Sequence, residues 1–177
     1  MPSTARPAAR KMDQEAKNEL ESILATYRER MVDGQAREAK AKAARAAFVE
    51  AFRTVKAESI GPVLEEFAVR LNEAGHHASV VDQQEASDRN GHFNPASIAI
   101  RIIPARIGEV APLPSGGTRI EVTFSANEQT MKVLVSSSNN SNGSIGKRGD
   151  YEIADLTKGF VEGHVLKTLR EAFAIRK

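Results

Sequence analysis

The chain has 177 residues, of which 41% are hydrophobic, 27% charged and only 5% aromatic, with no Trp and no Cys. This is the composition of an ordinary folded protein, one domain or one small domain with an extension. The absence of cysteine excludes disulfides, thiol catalysis and Cys-ligated metal centres, and a net charge of +2 does not by itself argue for nucleic acid.

Residues 1–11 carry Arg6, Arg10 and Lys11, with Pro2 and Pro7 among small residues, which predicts a disordered basic tail. There is no apolar core of the roughly 7–15 residues that a secretory signal needs. No apolar run approaches the ~20 residues that span a bilayer. The expected location is therefore cytoplasmic, and the Ala- and Arg-rich usage points to a GC-rich bacterial genome.

From about Met12 to Val55 the chain holds no proline and one glycine, Gly34. Leu20, Leu24, Tyr27 and Met31 recur at spacings of three and four, and Phe48, Phe52 and Val55 resume the same register. Globular helices usually run roughly 8–20 residues. A helical pattern twice that length predicts a coiled-coil-like arm over 12–57 that needs a partner, a second copy or a fold-back. Asp33-Gly34 favours a turn, and glycine costs roughly 1 kcal/mol inside a helix. A continuous or gently broken helix is favoured over a hairpin. Gly34, Glu38, Ala41 and Arg45 occupy the seam positions between the two apolar stripes. The first 57 residues hold 12 Lys and Arg against 8 Asp and Glu, and the rest hold 13 against 15. A basic arm on a mildly acidic body is the expected charge layout.

A second helix is predicted over Ser59–Ala74, with Ser59 as cap, Gly61-Pro62 just inside the start and Gly75 closing it. The period then changes from about 3.6 to 2. Strands are predicted at Ala78–Val81, Ser97–Ile103, Thr118–Phe124 and Met131–Val135, with a further one at Tyr151–Ile153. Their alternation puts Ile98, Ile100 and Ile102, then Ile120, Val122 and Phe124, then Met131, Val133 and Val135 inward. Loops are predicted at 89–91, 112–117 and Ser136–Gly149, the Ser/Asn tract Ser136–Asn142 being a flexible polar loop. A last helix is predicted over Thr157–Ile175, capped by Asp155 or Thr157.

Candidate chemistry is sparse. His76-His77 with Asp82, Asp88 and His92 suggests metal ligands, but adjacent strand histidines point to opposite faces and no metal-site spacing is present. His164, beside Glu162, has no nucleophile to serve as base for and reads as a half-buried structural histidine. Gly143–Gly149 resembles a phosphate loop only loosely: Ser141 replaces the first glycine and Arg148 the magnesium-binding hydroxyl. Arg148-Gly149-Asp150 matches an integrin tripeptide by coincidence.

The expected fold is α+β: a long N-terminal helical arm, continuous or broken near Gly34, then an antiparallel meander of four or five strands packed on two helices in a head domain over 58–177. No catalytic residue, metal or cofactor is expected. The expected function is a non-enzymatic interaction or assembly protein. It would form a homo-oligomer or dock a protein partner through Leu20, Leu24, Tyr27, Met31, Phe48, Phe52 and Val55. The alternative is a nucleic-acid-binding protein. Its phosphate contacts would be Arg37, Lys40, Arg45, Lys147 and Arg148, aided by Arg101, Arg119 and Lys132 on the sheet. A third class, a small-ligand site, requires His92, His164, Asp82 or Glu85 to converge on one pocket.

Overall fold

The computed structural model describes residues 13–87, 93–105, 119–139 and 144–174. The arrangement is α+β: a long N-terminal helical run, a five-stranded antiparallel sheet and a C-terminal helix. The tail expected over residues 1–11 lies outside the described residues. The chain divides into two units between Ala44 and Arg45, earlier than the expected boundary at 57/58. The shift follows from Phe48 and Phe52, which are 8% and 0% exposed and belong to the hydrophobic core.

Helix α1 runs unbroken over Gln14–Val55, 42 residues. Asp13 Oδ1 accepts the Ala16 N–H at 2.8 Å, as an N-cap aspartate should. Gly34 does not end the helix, because strong helix formers on both sides outweigh one glycine penalty. The expected gap before Ser59 is also absent. The chain passes through a π-helical turn, Lys56–Ile60, into α2, Gly61–Glu73. Ser59 therefore does not cap a helix; the residue before α2 is Ile60, itself helical at φ −79° and ψ −54°. Pro62 accounts for this local geometry. It has no N–H, and in a continuous α-helix its ring would collide with the carbonyl four residues back. The wider turn lets the Gly61 N–H reach the Lys56 carbonyl instead. A Cβ on Gly61 would lie 3.0 Å from that same oxygen, so glycine suits the position. At the other end Gly75 has φ +85°. The His76 N–H reaches Leu71 O at 2.9 Å and the Gly75 N–H reaches Asn72 O at 3.0 Å, the two bonds of a Schellman ending.

The sheet consists of β1 (His77–Gln83), β4 (Ser97–Ile103), β5 (Ile120–Asn127), β6 (Lys132–Asn139) and β7 (Ser144–Tyr151), side by side in that order and antiparallel throughout. Between β1 and β4 the chain forms a small ribbon of β2 (Ala86–Ser87) and β3 (Phe93–Asn94). Ile98, Ile100, Ile102, Ile120, Val122, Phe124, Val133 and Val135 are all buried, as their alternation predicts. Met131 departs from the pattern: it is exposed, at φ 52°, in the turn before β6. The flexible loop expected over Ser136–Asn142 is a second departure. Ser136–Asn139 continue β6, and Ser144–Gly149, also expected as loop, belong to β7. Serine and asparagine have weak strand propensity, but pairing with β5 on one side and β7 on the other supplies the ladder. The register shifts by one where Val135 pairs with Gly149 and Ser136 with Lys147, leaving Arg148 as the extra residue of β7 next to Gly149. A Cβ there would lie 2.8 Å from the Tyr151 ring, so glycine lets that ring fold back over the strand.

Helix α3, Lys158–Ala174, begins at Thr157, whose Oγ1 accepts the Phe160 N–H at 3.3 Å. Helix α2 packs over β1 and β4, and α3 over β5. Between these helices and the sheet lies the core, completed by Phe48, Phe52 and Ile60.

Candidate functional site

The first unit presents the clearest unpartnered surface. Leu20, Leu24, Tyr27 and Met31 are 43%, 42%, 61% and 47% exposed. At 3.6 residues per turn these four fall within an arc of about 60° on one side of α1. Ile23, exposed, flanks them, and Val32, also exposed, lies about 80° farther round the helix. Phe48, Phe52 and Val55 share the register but not the role. The two phenylalanines are buried and Val55 packs against the core, so they hold the second unit together and offer no partner anchors. The predicted seven-residue stripe thus separates into an exposed part and a core part.

The cations expected to touch phosphate also separate. Arg37, Lys40 and Arg45 are exposed on α1 and pair with nothing among the described residues. Lys147 Nζ donates to Asp150 Oδ2 at 2.5 Å. Arg148 donates to Ser137 Oγ at 2.7 Å and forms an ion pair with Glu171 of α3, tying the edge strand to the helix. Arg101 and Arg119 converge on Glu121, at 2.9 and 3.5 Å, and Lys132 pairs with Glu152 at 2.9 Å. The sheet cations are therefore largely neutralised by their neighbours.

Two depressions mark the second unit. An open one of about 490 Å³ is lined by His77, Ser79, Arg101, Ile103 and Arg119 on the sheet face away from the helices. A smaller groove of about 150 Å³ lies between α2 and α3, lined by Val63, Glu66, Phe67, Arg70, Glu162 and Leu166. The first holds Ser79 and His77 two residues apart on β1, with no hydrogen bond between them, and the second holds no Ser, Thr or Cys nucleophile.

The histidines have separate settings. His76 stacks on Phe173 with ring centroids 5.6 Å apart, and its Nδ1 accepts the Ala105 N–H at 3.0 Å. His77 is exposed. His164 lies against Phe160 and Tyr151, at 4.5 and 5.4 Å between centroids. Its pKa is lowered from the ordinary 6.5, first by burial and then by the nearby Lys167 and Arg148 charges. Asp88 and His92 lie outside the described residues. Asp82 is bound to Lys56 and Glu85 to Arg53, so His164, Asp82 and Glu85 each answer to a different partner. Among the described residues no cluster of three or more His, Asp or Glu could hold a metal ion. Of the Gly143–Gly149 phosphate-loop resemblance, Gly143 lies outside the described residues, and Ser144–Gly149 belong to β7, whose Gly146, Lys147 and Gly149 pair with β6 and do not open a helix.

One structural pair is not expected from sequence. Lys56 has a 5% exposed side chain, and its Nζ donates to Asp82 Oδ1 at 2.5 Å. The signal was its spacing: Lys56 lies four residues from Phe52 and four from Ile60, both fully buried.

The chain matches no protein-family model, no curated protein and no solved structure. No helix among the described residues is long and apolar enough to cross a membrane.

Proposed function

We propose that this chain is a non-enzymatic interaction protein of the bacterial cytoplasm that self-associates, or docks a protein partner, through α1. The observation that carries this reading is the exposed Leu20, Leu24, Tyr27 and Met31 stripe. Monomeric proteins rarely leave contiguous large apolar side chains in water, and such patches usually mark interfaces. Fully burying a Leu or Met contributes roughly 1.5–3 kcal/mol. For side chains already half shielded, closing the stripe contributes on the order of half that for each residue. The double variant Leu24→Asp, Tyr27→Asp places two charges on the stripe. Light scattering at low and high salt should show the wild type heavier than one chain at both, and the variant at the mass of one chain with the second unit still folded. A variant with unchanged mass would rule out the stripe as the contact.

Nucleic-acid binding is the weaker reading. It rests on Arg37, Lys40 and Arg45, since Arg148 and the sheet cations are already paired. It predicts retention of DNA or RNA that collapses as salt is raised, through counterion release.

A further inference from the structure

We propose that α1 pairs with α1 of a second copy in antiparallel register, with Met31 of each copy beside Gly34 of the other. This rests on the self-association reading and specifies its geometry. Two features of the helix point to it.

The first is charge. Residues 13–33 carry Asp13, Glu15, Glu19, Glu21, Glu29 and Asp33 against Lys17, Arg28 and Arg30. Residues 34–47 carry Arg37, Lys40, Lys42 and Arg45 against Glu38 alone. One continuous helix therefore has an acidic half and a basic half. Parallel pairing would set acid against acid and base against base. Antiparallel pairing sets the acidic half, net −3 over residues 13–33, against the basic half, net +3 over residues 34–47, and charge complementarity of this kind fixes orientation.

The second is shape. The seam positions of the first half hold Leu20, Leu24, Tyr27 and Met31, all large; those of the second hold Gly34, Glu38, Ala41 and Arg45. In parallel register Glu38 would face Glu38 and Arg45 would face Arg45 across the seam. With Met31 beside Gly34, the same strict spacing of three and four brings Tyr27 beside Glu38, Leu24 beside Ala41 and Leu20 beside Arg45. Met31 and Leu24 then meet the small Gly34 and Ala41, and Tyr27 and Leu20 meet the polar Glu38 and Arg45. The Tyr27 hydroxyl can donate to the Glu38 carboxylate. The Arg45 stem can lie along Leu20 while its guanidinium reaches toward Glu21, a long cation covering apolar surface with its charge in water. The seam from Leu20 to Arg45 spans about 39 Å at 1.5 Å per residue.

The lack of native cysteine makes the register readable. Full-length chains bearing Leu24→Cys and Ala41→Cys, one each, are oxidised mildly, alone and as a mixture. The mixture should give a covalent 24–41 dimer, identified by peptide mass, well above the dimer either variant forms alone. Glu21→Cys with Lys42→Cys, on the flank, leaves every large apolar seam residue in place and should behave the same way. A 24–24 dimer from the first variant alone would overturn the antiparallel register while leaving self-association standing. A dimeric mass without either mixed cross-link would also overturn the register. A one-chain mass for the wild type would overturn self-association and the register together.

Discussion

At the scale of single residues, burial of charge is the most informative feature of the second unit. Lys56 lies on the apolar side of the helical run, and Asp82, half exposed, is its ion-pair partner. A buried cation left without its counter-charge is costly, whereas an apolar replacement of similar volume is often tolerated. His164 shows the same physics in a group that titrates near neutrality. Its lowered pKa, caused first by burial and then by Lys167 and Arg148, means that the folded state resists taking up the proton. The unfolded chain binds it near pH 6.5. Protonation therefore favours unfolding, and this contribution to stability is fully present above pH 6.5 and declines as pH falls below it. Urea unfolding of the wild type should show this decline, and His164→Gln should flatten the part of the slope below pH 6.5. An identical pH dependence in both proteins would refute the assignment.

At the scale of elements, local preference decided some outcomes and neighbours decided others. Gly34 stayed inside a helix because it is one weak position among many strong ones. Nothing lies within 4 Å of where its Cβ would be. Gly34→Ala should therefore add helix stability of about 1 kcal/mol, seen as higher helicity and a later melting of the α1 signal in circular dichroism of dilute protein. A loss of helicity would mean that the bare backbone at Gly34 is required. The π turn before Pro62 is the converse case: the proline forbids the regular ladder, and Gly61 admits the wider one. The serine tract of β6 went against propensity entirely. Ser137 is 5% exposed and hydrogen-bonded to Arg148, so a buried hydroxyl was matched to an arginine from the neighbouring strand.

At the scale of the whole molecule, every residue of the hydrophobic core among the described residues falls between Phe48 and Ala172. The second unit, from Arg45 onward, thus contains its complete core. A chain beginning at Arg45 should unfold cooperatively with nearly the same urea midpoint as the full chain. A large fall in midpoint would show that residues before Arg45 also stabilise the core.

The α+β class, a long N-terminal helical arm, the buried alternations of β4 and β5 and, in β6, of Val133 and Val135, and the Gly75 ending were legible in the chain by itself; whether the arm was continuous or broken near Gly34, and whether Asp155 or Thr157 capped the last helix, was not. Each legible feature depends on spacing or on one residue's local chemistry. The exposed Leu20–Met31 stripe was legible for the same reason. Tertiary structure alone decided that Phe48 and Phe52 belong to the core, although they continue that stripe without a break in register. Periodicity specifies which side of a helix is apolar; only packing determines what covers it. Packing likewise made strands of Ser136–Asn139 and Ser144–Gly149, engaged Arg148 with Glu171, and enclosed Lys56 against Asp82. The deciding partners of Lys56 and Arg148 are distant in sequence, and those of the two strand segments are neighbouring strands that supply the ladder weak local propensity does not.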